Sequence, residues 1–145
     1  MTGSLTNKVA LSIIVPVLNE EEILPRFIDT LIKHSSLQNQ YIFVDGGSTD
    51  LSCKIIDEHP NCELIKGEKG RAKQMNRGVK QATFPILYFL HVDSIPPKNY
   101  DQCIVNTLKS GNKAGSFRLQ FDASHFLLIF FQHCHHLNHL ELHIS

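Results

Sequence analysis

The chain has 145 residues, of which 42% are hydrophobic and 19% are charged, enough for one domain with a buried core. Its 14 Lys and Arg balance its 14 Asp and Glu, so the net charge gives no reason to expect a nucleic-acid partner, and phosphate binding must come from local geometry. No apolar run approaches the length that crosses a bilayer. We therefore predict a single domain over residues 1–145 with no transmembrane segment.

Short apolar runs alternate with helical patterns along the chain. The predicted strands are 9–17, 41–44, 62–65, 86–90 and 114–121. The predicted helices follow Asn19, span 51–59 and 72–82, run from Pro96 to Gly111, and span 125–142. This alternation indicates an α/β fold, a mainly parallel sheet with helices on both faces.

Polar residues before two of these helices predict side-chain caps. Asn19 is expected to cap the first helix, with Glu22 as its capping-box partner. Ser48 or Thr49 is expected to cap the second.

The four cysteines, Cys53, Cys62, Cys103 and Cys134, form no Cys-x-x-Cys pair. Scattered cysteines of this kind favour reduced thiols in a cytoplasmic protein.

Three predicted strands end in polar residues, at 16–20, 45–48 and 91–93, and these ends should converge at one edge of a parallel sheet. Asp93 follows a buried strand with no basic residue nearby, so we expect it to be solvated, paired or bound to a metal. A hard divalent cation that bridges a diphosphate needs only one or two protein carboxylates. His91 is either a ligand contact or an ordinary histidine near the core.

Two further acids, Glu20 and Asp45, are acceptors that suit the N–H groups of a base or the hydroxyls of a ribose. Gly46 and Gly47 allow positive φ and close backbone approach. The simpler interpretation of this second strand end is a tight strand-to-helix turn.

Basic residues cluster where the third helix begins, at Lys69, Arg71 and Lys73. They form either an anion site or a solvated loop. Gln74 and Asn76 follow and could donate amide N–H groups. The chain has neither a Gly-x-Gly-x-x-Gly after its first strand nor a P-loop at 67–71.

Four segments, read in order, resemble family 2 glycosyltransferases with the GT-A fold. They are Ser-Ile-Ile-Val-Pro-Val-Leu-Asn-Glu-Glu at 12–21, Val-Asp-Gly-Gly-Ser-Thr-Asp at 44–50, Gly-Arg-Ala-Lys-Gln-Met-Asn-Arg-Gly at 70–78, and Leu-His-Val-Asp at 90–93. The last two are similar to a bacterial subgroup with Leu-His-Ala-Asp where others carry Asp-x-Asp. The resemblance extends from Leu11 to about Asp122.

The resemblance implies a nucleotide-diphospho-sugar donor, a UDP- or GDP-sugar, and inverting transfer to a saccharide, lipid or isoprenoid acceptor, with peripheral membrane contact possible. By analogy Asp93 is the catalytic ligand of Mg²⁺ or Mn²⁺, since His91 replaces the first acid of Asp-x-Asp. The other implied substrate contacts are Pro16, Asn19, Glu20 and Asp45 at the nucleoside, and Arg71 and Asn76 near the base or diphosphate.

The family's acceptor half, with its Glu-Asp base motif, would lie beyond Ser145, and Asp122 is the one candidate base in this chain. A donor-binding domain without transferase activity is therefore an alternative. A sugar nucleotidyltransferase is a weaker one, because the expected glycine-rich loop after the first strand is missing.

A histidine-rich segment is the last candidate site. Its members are His133, His135, His136 and His139, at spacings of three and four on a predicted helix that could chelate Zn²⁺ or Ni²⁺. The alternative is a histidine-rich surface helix that binds no metal.

Overall fold

The computed structural model describes residues 9–110 and 127–130. Strands and helices alternate through these ranges. They are β1 (Leu11–Val17), α1 (Leu24–Lys33), β2 (Gln40–Asp45), α2 (Ser52–Asp57), β3 (Cys62–Lys66), α3 (Arg71–Val79), β4 (Ile86–Phe89), α4 (Tyr100–Lys109) and β5 (Leu127–Phe130).

The strands form one sheet in the order β3-β2-β1-β4-β5, and every neighbouring pair is parallel. Val17 lies opposite Asp45, and Asp45 opposite Lys66, so the strands end together at one edge. The chain builds outward from β1 to β3 and then returns to place β4 on the other side of β1. A crevice forms at such a reversal, outside the carboxyl ends of the two central strands.

Each face of the sheet carries its own apolar core, because alternate residues of a strand point to opposite faces. On one face the odd-numbered residues of β1 pack with Phe27 of α1 and Tyr100 of α4. On the other face Ile14, Val44 and their neighbours pack with α3. The predicted arrangement of helices on both faces is confirmed.

Helix α3 approaches the sheet unusually closely at Gly78. A Cβ there would lie 2.5 Å from Ile14 Cγ2 and 3.1 Å from Val44 Cγ2. This contact brings the last turn of α3 close to β1 and β2.

The strand at 127–130 lies inside the segment predicted as a helix from 125 to 142, so that prediction is wrong for these residues. Their backbone pairs with β4 in parallel register. A short apolar run fits a buried strand as well as a helix, and periodicity cannot separate the two. The predicted strand at 114–121, Asp122 and the histidine-rich segment lie outside the described residues.

The predicted caps are also wrong. Helix α1 begins with Ile23 at its N-cap and α2 with Leu51, and neither has a side-chain cap hydrogen bond. Asn19 instead has a left-handed backbone with φ 52° and accepts a hydrogen bond from Thr49 N at 2.8 Å. The polar side chains expected to cap their own helices connect two loops to each other.

Within the described residues, the structure contains no helix long and apolar enough to span a membrane.

Candidate functional site

A cleft of about 340 Å³ opens between the carboxyl ends of β1 and β4 and the beginning of α3. This is the point where the strand order reverses. The structure brings together five of the residues predicted from sequence to form a site: Pro16, Glu20, Arg71, His91 and Asp93.

Two carboxylates face this cleft from different strands. Glu20 follows β1 and is partly buried, whereas Asp93 follows β4 and is exposed. Burial raises the pKa of Glu20, and the negative charges of Asp93 and Asp50 raise it further. Both carboxylates line the same cleft, and like charges so placed favour a cation between or beside them.

The positively charged residues of the cleft lie at the beginning of α3 and just before it. Lys69 and Arg71 line the cleft, and both are exposed. Helix α3 begins after Gly70, whose φ is 132°, and has no side-chain cap. The first N–H groups of an uncapped helix, together with its dipole, suit an anion. The lining of the cleft therefore combines two carboxylates with cationic and backbone groups that suit an anion.

His91 lies in the cleft wall with its side chain partly buried. Burial lowers the pKa of His91, the charge of Arg71 lowers it further, and Asp93 partly opposes them. This lowering of the pKa favours the neutral form of the His91 imidazole beside Arg71.

Asp45 ends β2 beside the cleft rather than in its lining. Its buried carboxylate accepts hydrogen bonds from Gly47 N at 3.1 Å and Ser48 N at 3.0 Å, and lies 3.4 Å from Lys66 Nζ. Burial alone would raise the pKa of Asp45, but the hydrogen bonds from Ser48 and Gly47 outweigh it and lower the pKa. Gly47 has φ +102°, which confirms the positive φ predicted for this turn.

Hydrogen bonds connect the loop that follows β1 to the loop that follows β2 and to the start of α2. Asn19 N donates to Ser48 Oγ at 2.9 Å, and Glu20 N donates to Ser52 Oγ at 2.8 Å. These bonds hold Glu20 at the edge of the cleft. Ser48 and Asn19, which the sequence predicts as helix caps, instead take part in this connection.

Gln74 is the cleft residue whose role the sequence did not reveal. Its side chain is only 4% exposed, and Nε2 donates to Val17 O at 2.9 Å and Val44 O at 2.8 Å. It thereby ties α3 to the ends of β1 and β2. The available signal was a polar residue one helical turn before Gly78, on the inward face of α3.

Asn76 lies elsewhere. It lines a neighbouring groove with Lys66, Lys73 and Arg77 and is absent from the cleft lining. Its predicted contact with the base or diphosphate stays a prediction.

The cleft suits a divalent cation only if the ligand supplies part of the coordination. In residues 9–110 and 127–130 no group of three or more His, Cys, Asp or Glu side chains could hold a metal ion. Asp93, with Glu20 facing the same space, offers hard oxygen ligands. Mg²⁺ and Mn²⁺ accept such sparse sets when phosphate oxygens and water complete the shell. The residues therefore fit a cation bound together with a diphosphate.

An open parallel sheet with a charged cleft at its strand-order reversal defines an α/β domain of the ligand-binding, doubly wound kind. Residues 12–126 match the family described as Glycosyl transferase family 2, and the chain belongs to this family. The family predicted from the four segments is confirmed.

Curated relatives are considerably longer than this chain. The undecaprenyl-phosphate 4-deoxy-4-formamido-L-arabinose transferase of Proteus mirabilis is 32% identical over 115 residues, covering 72% of this chain and 35% of the relative. A PGL/p-HBAD biosynthesis glycosyltransferase of Mycobacterium bovis is 38% identical over 88 residues, covering 57% of this chain and 34% of the relative. The chain thus spans about a third of the length of these relatives.

Solved structures share the fold. TarS of S. aureus, residues 1–349, superposes with a TM-score of 0.64 at 20% identity, over 79% of this chain and 40% of that chain. The same TarS segment in complex with UDP gives a TM-score of 0.63 at 19% identity, over 79% of this chain and 38% of that chain. The predicted GT-A-like fold is confirmed.

Proposed function

We propose that this domain binds a nucleotide-diphospho-sugar in the cleft and takes part in transferring the sugar to an acceptor hydroxyl. The observation that carries the proposal is the composition of the cleft. Glu20 and Asp93 face the space that Lys69 and Arg71 also line, at the strand-order reversal. A diphosphate with a bound divalent cation has the matching charges, and the family and its glycosyltransferase relatives support this choice of ligand.

The donor would lie across the ends of β1, β2 and β4. The family resemblance predicts that Pro16, Asn19 and Asp45 contact the nucleoside. Pro16 lines the cleft together with Glu20, whereas Asn19 and Asp45 are not among its lining residues. The UDP complex of the structural neighbour favours UDP as the first donor to test, with GDP as the alternative.

In the proposed reaction the acceptor oxygen attacks the anomeric carbon, and the bond from that carbon to the diphosphate oxygen breaks. The electron pair leaves with the nucleoside diphosphate, so inversion follows from a single direct displacement. Asp93 would hold Mg²⁺ or Mn²⁺, which when bound acts as a Lewis acid for charge on the leaving group. Arg71 and the beginning of α3 would stabilise the same developing charge. The hydroxyl proton passes to a base, for which the sequence offers Asp122 only as a candidate outside the described residues.

The acceptor proposed here is a hydroxyl of a saccharide, a lipid or an isoprenoid. One relative carries undecaprenyl-phosphate in its name, which favours a lipid-linked acceptor and peripheral contact with a membrane. Cys53, Cys62 and Cys103 are free thiols, which is compatible with the proposed cytoplasmic location.

The proposal is tested by incubating the chain with UDP- and GDP-sugars and Mn²⁺ and measuring release of the nucleoside diphosphate by chromatography. We expect slow release from one donor, and loss of release in Asp93→Ala but not in Asp57→Ala, an exposed acid on α2. Binding of a donor without any release would favour the alternative, a donor-binding domain without transferase activity. Equal release by wild type and Asp93→Ala would contradict the assigned role of Asp93.

A further inference from the structure

A second concavity of about 460 Å³ lies beside α3 and shares no lining residue with the cleft. We call it the basic groove. Its charged lining residues are Lys66, Glu68, Lys73, Arg77 and Lys80. Four cations and one carboxylate thus meet in one concavity of a chain whose net charge is zero.

Part of this positive charge is not neutralised by the protein. Lys73 Nζ pairs with Glu68 Oε2 at 2.6 Å, and Lys66 Nζ lies 3.4 Å from Asp45 Oδ2. Within residues 9–110 and 127–130, Arg77 and Lys80 form no ion pair. The guanidinium of Arg77 and the ammonium of Lys80 are therefore available to a ligand.

The helical spacing places three of these cations together. Lys73, Arg77 and Lys80 are four and three residues apart, which puts them on one face of α3 and its end. Like charges at this spacing repel each other mildly, so an anion bound among them would relieve the repulsion. Asn76 lines the same groove and adds an amide donor.

The wall opposite α3 is held in place by the sheet. Gly67 N donates to Asp45 O at 2.8 Å, which ties the residue after β3 to the end of β2. A Cβ on Gly67 would lie 3.0 Å from Val44 Cγ1, so the backbone of Gly67 packs closely against the end of β2. This wall of the groove is therefore fixed to the sheet, and the exposed charged side chains extend from it and from α3.

We propose that the basic groove is a second anion site, which binds a phosphate-bearing group of at least two negative charges, such as a diphosphate or phosphomonoester. The planar guanidinium of Arg77 can bind phosphate oxygens in a bidentate manner, while the lysines act as point charges. The phosphate could belong to a soluble ligand or to a lipid headgroup, and the chemistry that recognises it is the same.

The test is a calorimetric titration of inorganic pyrophosphate into the full chain, in the presence of EDTA to remove divalent cations. The variant Arg77→Gln/Lys80→Gln removes the two unpaired cations. Lys33→Gln/Lys54→Gln is the matched control, because it removes two exposed lysines from α1 and α2. We expect saturable binding that weakens at least ten-fold in the groove variant and stays unchanged in the control. Circular dichroism checks that both variants fold. No saturable binding, or equal weakening in both variants, would overturn the proposal.

Two further measurements define the site. Co-sedimentation with phosphatidic acid vesicles, compared with phosphatidylcholine vesicles, shows whether the bound phosphate belongs to a lipid headgroup. Retention that only the groove variant loses assigns the phosphate to a lipid, and pyrophosphate binding without retention assigns it to a soluble ligand.

UDP titration with Mn²⁺ tests whether the basic groove and the cleft are separate sites. Loss of UDP binding in the groove variant would indicate one shared site and contradict the proposal, whereas unchanged UDP binding supports two sites. The pyrophosphate result stands whether or not UDP binds.

Discussion

The side-chain amide of Gln74 lies against the α-carbon of Gly46. A Cβ at position 46 would come within 2.9 Å of the Cδ, Nε2 and Oε1 atoms of Gln74. The same Nε2 donates to Val17 O and Val44 O, so the amide fills the space between α3 and the ends of two strands. The packing of α3 against the ends of β1 and β2 therefore requires both a glycine at position 46 and a buried glutamine at position 74.

This relationship predicts a coupled pair of substitutions. Gly46→Ala should destabilise the fold by about 1–3 kcal/mol through overpacking, and Gln74→Ala by about 1–3 kcal/mol through loss of buried hydrogen bonds. Because Gln74→Ala removes the clashing amide, the double variant should be more stable than the sum of the single effects predicts. Urea unfolding of the four proteins measures the coupling. Simple additivity would show that the close contact is not what makes glycine necessary.

Gly78→Ala is expected to lower the stability of the protein, which is the opposite of the usual effect of this substitution in a helix. Alanine in place of a helical glycine normally stabilises a helix by about 1 kcal/mol. Here the new Cβ would lie 2.5 Å from Ile14 Cγ2, so we expect Gly78→Ala to destabilise by about 1–3 kcal/mol. Asn76→Ala, on an exposed position of the same helix, is the control and should change stability little. A Gly78→Ala protein as stable as wild type in urea would mean that α3 packs less closely.

Asp101 predicts a pH dependence of stability. Its buried carboxylate accepts hydrogen bonds from Ser36 N at 2.8 Å, Leu37 N at 2.7 Å and Asn39 Nδ2 at 2.8 Å, which connect α4 to the loop after α1. Burial alone would raise the pKa of Asp101, but these hydrogen bonds outweigh it and lower the pKa. The stabilisation is therefore fully present above the unfolded-state pKa of about 4 and is lost as the pH falls through the lower folded-state pKa.

We expect Asp101→Asn to lower the free energy of unfolding at pH 7 by about 2–4 kcal/mol, because a charged acceptor of several buried bonds is lost. Below pH 4 the difference from wild type should shrink. Unfolding in urea across pH 2.5–7 (a range chosen to span about 1.5 units below the reference pKa) measures both effects. Asp29→Asn, an exposed acid on α1, should leave the pH profile unchanged. A wild-type to Asp101→Asn difference that does not vary with pH would contradict the assigned protonation.

The sequence predicted the strand ends that meet at the cleft because each strand is a short apolar run followed at once by polar residues. Glu20, His91 and Asp93 could be placed near one another on that basis alone, whereas Arg71, at the beginning of α3, was placed with them only by the family resemblance. Parallel strands align their carboxyl ends, so the order of elements was sufficient to predict the edge of the sheet.

The features that were missed depend on contacts between distant segments. Asn19 and Thr49 are 30 residues apart, and nothing local to Asn19 shows that its side chain binds Thr49 N instead of capping α1. The sequence predicts Gln74 as an amide donor in a ligand site, but its side chain donates to backbone carbonyls of two strands. The run at 127–130 has the composition of a strand or a helix, and pairing with β4 decides the outcome.

The most direct test of the proposed cleft is calorimetric titration of UDP and GDP, with and without Mn²⁺, into wild type, Asp93→Ala and Asp57→Ala. We predict that one nucleotide binds, that binding requires Mn²⁺, and that Asp93→Ala abolishes it while Asp57→Ala does not. Failure of both nucleotides to bind the folded wild-type chain in the presence of Mn²⁺, or undiminished binding by Asp93→Ala, would contradict the proposal that Asp93 and the cleft hold a metal-bound nucleoside diphosphate.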